Sequence, residues 1–333
     1  MRIRNAGMDR FSGLYLGALF VLIFGLWTPD LFLTSGTLHS VASNQAIGAM
    51  LALAVLIPMA GGCYDLSVGA VAGISTVIVV TLQSNHGWSM GPAILVTVVI
   101  AAVAGLVNGF VVVKLRVDAF IATLGTATII AAFQTIISDG AQPPLPRSPG
   151  WRDLTQQTVF GFQIVVIYLL LLTVLVWWVL EHTPAGRYIY AIGGNEEAAH
   201  LSGVAVGRWR WMSMIASAAI AGIAGVLYGS LTGPSLTYGP GLLLPAFAAA
   251  FLGTTQVRPG RPNAWGTLLA VYVLAIGVKG MQLVTGVQWL NDMFNGGALI
   301  LAVAFAVWRQ RRPGANSRKA GARPLAPARS GSE

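Results

Sequence analysis

The sequence predicts an all-α integral membrane protein with about ten transmembrane helices and both termini in the cytoplasm. Three observations predict it. Hydrophobic residues make up 55% of the 333-residue chain and charged residues only 9%, against about 25% charged in soluble domains. Apolar runs recur at close to the roughly 20 residues of helix that cross a bilayer core. The basic residues between those runs fall almost entirely on one side of the implied membrane.

The runs, in order, are 13–33, 42–60, 66–83, 92–113, 118–138, 161–180, 212–231, 242–252, 264–284 and 291–308. The first follows Arg2, Arg4 and Arg10 but is too long for a signal-peptide core and precedes no Ala-x-Ala site, so it reads as an uncleaved span. The third runs on from Asp65, and the eighth is bounded by Pro240 and Gly253. Short or glycine-interrupted spans such as these mark discontinuous helices around transport pathways. With the N-terminus inside, all of the 20 Lys and Arg except Arg147, Arg152 and Lys279 face the cytoplasm. An odd number of spans would split that set, so charge supports ten as hydropathy does.

The expected organisation is a cytoplasmic N-terminus (1–12), one transmembrane domain (13–308) and a basic, disordered cytoplasmic tail (309–333). Two connections stand out. The external loop 139–160 contains Pro143, Pro144, Pro146, Pro149 and Trp151, and the cytoplasmic loop 181–211 is the longest internal one. The net charge of +9 follows this membrane topology and does not point to nucleic acid.

Catalytic and metal chemistry find no motif. None of Lys114, Lys279 and Lys319 follows a glycine, so there is no phosphate-binding P-loop. His39, His86, His182 and His200 form no metal-ligand spacing, Cys63 is the lone cysteine, and no GxSxG elbow occurs. The chain is therefore expected to carry no catalytic residue, metal site or cofactor of its own.

Two segments carry information. In GGCYDLSVGAVAG (61–73), Asp65 opens an apolar run beside Ser67, with Gly69 and Gly73 spaced to admit a neighbouring helix. A carboxylate there either caps the helix at the membrane edge or lines a substrate path. In GGNEEAAHLSGV (193–204), Asn195 suits an N-cap, Glu196 and Glu197 suit the first turn, and Gly203 suits a left-handed stop. So short a helix is marginal alone, and a docking partner would account for it. Polar residues in other spans (Asn44, Gln45, Asn108, Thr123, Gln134, Asn291 and Asn295) suit either helix packing or a pathway, with Phe120 as an aromatic face for a neutral polyol. Lys279 would snorkel outward, with Asp292 as its expected ion partner.

GGCYDLSVG resembles the "GGIDLSVG" signature of ribose-type permeases of ABC importers, and RYIYAIGGNEEAAHLSGV, from Arg187, is similar to that family's "GRYIYAIGGNEAAARLSGI". RVDAFIATLGT (from Arg116) and LGTT (252–255) also fit, over roughly residues 40–308. The resemblance implies a type II ABC importer-like fold in the bacterial inner membrane, working as a homo- or heterodimer of permease copies surrounded by membrane lipid. It implies a cytoplasmic ATP-binding cassette subunit that holds ATP and Mg, and a periplasmic binding protein that delivers a sugar or polyol.

On that resemblance Gly193, Gly194, Asn195, Glu196, Glu197, Ala198, Leu201, Ser202 and Gly203 form the coupling segment. The pathway candidates are Asp65, Ser67, Asn44, Asn108, Phe120, Thr123 and Asn295, and the binding-protein docking candidates are Arg147 and Arg152. The chain departs from the family pattern at 256–262, Gln-Val-Arg-Pro-Gly-Arg-Pro. The alternative functions are an ion-coupled secondary transporter, which would need more buried ionisable residues than Asp65, and an ABC permease for a substrate such as branched-chain amino acids.

Overall fold

A computed structural model describes residues 12–287 and 289–311. The first run is broken. Helix α1 (Ser12–Trp27) gives way at Pro29 to a single turn, α2 (Pro29–Phe32). Helix α3 (Ser35–Asn44) starts at Thr34, whose hydroxyl accepts from the Thr37 amide at 3.1 Å, and continues with a joint at Gln45 into α4 (Ala46–Ala60).

Helix α4 is apolar on every side (AIGAMLALAVLIPMA), and every residue in it except Gly48 is buried. A helix without a polar face must be enclosed by protein or lipid. Here protein encloses it: α9 (Ile164–His182), α12 (Val206–Leu231), α13 (Tyr238–Gly253) and α14 (Ala264–Thr285) pack around it. Helix α12 also packs along α5 (Val68–Ser84) and α6 (Met90–Val113), and α5 packs on α7 (Ala119–Ser138). Helices α13 and α14 form a second group with α1 and α15 (Trp289–Arg311).

Small residues set one close crossing. A Cβ on Gly69 would lie 2.6 Å from the carbonyl oxygen of Gly239, so α5 and α13 approach backbone to backbone, and Gly69 and Gly73 receive that neighbour together. The outer faces of α6, α7 and α9 expose Leu95, Val103, Ile121, Ile136, Leu171 and Trp178. So broad an apolar surface needs lipid to cover it. Among the described residues, six helices are long and apolar enough to cross a membrane, and three shorter apolar helices accompany them.

Several bounds differ from the hydropathy reading. Helix α12 starts at Val206, six residues before the run at 212, because its first turns carry Arg208 and Arg210. Helix α13 starts at Tyr238 with Pro240 inside its first turn, where the missing amide costs no helical bond. Helix α15 continues to Arg311; beyond that the expected tail, like residues 1–11, lies outside the described residues.

The connection 139–163 is held to α12. Trp151 is buried, its carbonyl accepts from the Ser230 hydroxyl at 2.5 Å, and Ser230 also meets Thr155 at 2.7 Å. A turn, α8 (Asp153–Gln156), leads into a two-stranded antiparallel ribbon, β1 (Thr158–Val159) and β2 (Phe162–Gln163), with Thr158 opposite Gln163. The connection 183–205 folds into α10 (Pro184–Gly194) and α11 (Glu196–Leu201).

Candidate coupling and translocation site

The chain turns sharply between α4 and α5, with Gly62 at φ +73°. There Asp65 Oδ1 accepts from the Ser67 amide at 2.9 Å and the Ser67 hydroxyl at 2.6 Å. Ser67 Oγ accepts in turn from Asn108 Nδ2 of α6 at 2.7 Å, and Asn108 Oδ1 accepts from the Thr126 hydroxyl of α7 at 2.6 Å. Thr123 Oγ1 accepts from the Leu66 amide at 3.0 Å.

Four of the seven pathway candidates, Asp65, Ser67, Asn108 and Thr123, thus form one network that pins the start of α5 to α6 and α7. All four are fully buried. Thr126 and Ser217 are members that the sequence reading missed. Asp65 Oδ2 is enclosed without a hydrogen bond of normal geometry, and the equally enclosed Ser217 hydroxyl of α12 lies beside it. The remaining candidates lie elsewhere: Asn44 bonds Ser40 on α3 at 3.0 Å, Phe120 is half exposed on α7, and Asn295 is on α15.

Helix α11 is built as its sequence reads. Asn195 Oδ1 accepts from the Ala198 amide at 2.9 Å, Ser202 Oγ donates to the Ala198 carbonyl at 2.8 Å, and Gly203 stops the helix at φ +81°. Ala199 is buried with Ile192 and Val206, while Leu201 is 81% exposed and Glu197 and His200 face outward. Two hydrogen bonds, 2.8 and 2.6 Å long, run from the Arg210 guanidinium of α12 to the Glu196 carboxylate. That fork ties α11 to the helix whose Ser217, seven residues on and so on the same face, lies beside Asp65.

These two segments, more than 100 positions apart in sequence, meet. A Cβ on Gly193 would sit 3.2 Å from the amide nitrogen of Gly62. A cavity of about 430 Å³ opens beside them, lined among others by Cys63, Arg116, Asp118, Glu196 and Arg210. Arg116 holds a left-handed backbone there, φ +57°, uncommon for a side chain with a Cβ. Burial pushes the Cys63 thiol up to about 11.

Arg147 and Arg152 are exposed on the 139–163 connection. No ion pair joins Lys279 to Asp292 among the described residues, contrary to the expectation from sequence. Nor do those residues bring three or more His, Cys, Asp or Glu together as a metal site.

Apolar helices enclosing a polar hydrogen-bonded core, with a short charged helix displayed at one end, describe a multi-pass membrane protein. The chain belongs to the family described as branched-chain amino acid transport system / permease component, whose model matches residues 37–303. It is 30% identical to the autoinducer 2 import system permease protein of Enterobacter sp. (strain 638), over 93% of this chain and 89% of that one. It is 30% identical to the ribose import permease protein of Bacillus subtilis (strain 168), over 91% and 94%, respectively. It is 26% identical to the D-allose transport system permease protein of Escherichia coli (strain K12), over 89% and 91%. No solved structure matches the chain.

Proposed function

We propose that this chain is the membrane-spanning permease of an ATP-driven importer for a monosaccharide or related polyol, in the bacterial inner membrane. The one-sided charge distribution supports ten crossings with both termini inside, in which α15 would be the tenth beside the nine apolar helices. The observation that carries the reading is the placement of α11. It displays Glu197, His200 and Leu201 outward while Glu196 is forked to Arg210 of α12, whose same face, at Ser217, closes on the Asp65 network.

A partner ATPase would grip α11 as a helix in a groove. Its closure would move α11 and the start of α12 together. The Asp65–Ser67–Asn108–Thr126 network would carry that movement to α5, α6 and α7. Access would alternate between the two sides without covalent chemistry, and ATP and Mg would stay on the partner. The exposed Arg147 and Arg152 would meet the delivering binding protein, and a second permease copy would complete the transporter. The sugar class rests on the ribose and allose permeases among the relatives.

The test is to purify the tagged chain from its native membrane and identify what remains bound stoichiometrically. The expected result is a nucleotide-binding subunit, whose reconstitution with the chain gives ATP-dependent uptake of a labelled pentose or hexose. Uptake that persists without any such subunit and collapses with the ion gradient would overturn the proposal.

A further inference from the structure

The segment 256–262 has no part in the site above, yet it is anchored to several helices. Glu181, on the last turn of α9, has a side chain only 6% exposed. Its Oε2 accepts from Arg261 Nη2 at 2.5 Å and also from Arg258 Nη1. The Arg261 guanidinium lies 3.9 Å over the Tyr190 ring of α10, and the Tyr190 hydroxyl donates to the Pro262 carbonyl at 2.7 Å.

At its other end the segment is tied to the helices it joins. Asn263 Nδ2 donates to the carbonyls of Gly253 and Gln256 at 3.2 and 3.1 Å, and its Oδ1 accepts from the Gly266 amide at 2.8 Å. Gln256 Oε1 accepts from the Gly13 amide of α1 at 2.7 Å. Val257 holds φ +55°, an outlier for a β-branched residue that persists only where its surroundings over-determine it.

We infer that Glu181, Arg258 and Arg261 form a latch fastening the α13–α14 corner to the α9–α10 corner, so that displacement of α11 moves α13 and α14 with it. The chemistry suits such a fastener. A carboxylate shared by two guanidinium groups makes charge-assisted bonds, stronger than neutral ones. Arg261 adds a ring-stacking contact that lysine reproduces poorly. The placement gives it leverage: α10 leads from the latch directly into α11, and α13 reaches α5 through the Gly69–Gly239 contact. The three residues are therefore positioning residues for coupling, and their transport readout rests on the permease reading above.

Two measurements test it. The first uses the full-length chain alone. Spin labels at Leu201→Cys and Pro259→Cys, in a Cys63→Ser background, report the distance between α11 and the 254–263 segment. The expected result is a narrow distribution that broadens at least twofold in Glu181→Gln and in Arg261→Ala. An unchanged distribution in both variants overturns the latch. The second uses the reconstituted transporter. Both variants should keep the ATPase subunit bound and hydrolysing within about twofold, while substrate carried per ATP falls at least tenfold. Wild-type stoichiometry in the single variants overturns the latch. Failure of the wild-type chain to bind any ATPase overturns the permease reading instead, and the distance measurement still decides the latch.

Discussion

Asp65 has no cationic partner among the described residues; Oδ1 is held by Ser67, and only the Ser217 hydroxyl lies beside Oδ2. Its visible work is to accept from Ser67, and an amide oxygen can do that equally. Asp65→Asn should therefore melt close to wild type in detergent. Asp65→Ala should cost about 1–3 kcal/mol, because the Ser67 amide and hydroxyl lose a buried acceptor. Equal damage from both substitutions would show that the charge itself is needed. Two residues away, the raised pKa of Cys63 leaves about a hundredfold less thiolate at neutral pH than its ordinary value of 9.0 would. Alkylation by N-ethylmaleimide at neutral pH, followed by mass spectrometry, should be correspondingly slow until the protein is denatured. At this scale the sequence disclosed what lies close along the chain: Asp65 beside Ser67, Asn195 as a cap, Gly203 as a stop. Thr126, Ser217 and the Glu181 cluster were invisible because their partners lie 18 to 152 positions away and no local spacing marks them.

Among the elements, α11 and α12 show how little stability a functional contact requires. The Glu196–Arg210 fork is partly exposed, and such pairs contribute about 0.2–1 kcal/mol. Glu196→Gln should leave the melting temperature nearly unchanged while lowering substrate carried per ATP in the reconstituted transporter; a normal ratio would remove the fork from the coupling route. The α5–α13 crossing should behave oppositely. Gly239→Ala places a methyl group against the α5 backbone, and overpacking of this kind costs about 1–3 kcal/mol, so the melting temperature should drop. Hydropathy located these helices but not their ends. It stops at the first charge, whereas α12 continues through Arg208 and Arg210 because Arg210 is paired with Glu196 rather than set in lipid. It halts likewise at Pro240, which the first turn of α13 tolerates.

In the whole molecule, the apolar content was legible from composition, but the division between lipid-facing and enclosed helices was not. Helices α4 and α6 are similarly hydrophobic in sequence, yet α4 is buried almost throughout while α6 exposes one side. Side-chain chemistry cannot separate them, because lipid and protein interior are both apolar; what separates them is which neighbours arrive. That has a consequence for biogenesis. The ribosome delivers α4 long before α12, α13 and α14, three of the four helices that enclose it. Until they emerge, α4 must rest against acyl chains, where its uniformly apolar surface is at home. Maturation of this protein is then an exchange of solvents. Lipid molecules are stripped from a waiting helix as later ones insert, so a chain truncated before residue 206 would remain a membrane guest without becoming a transporter.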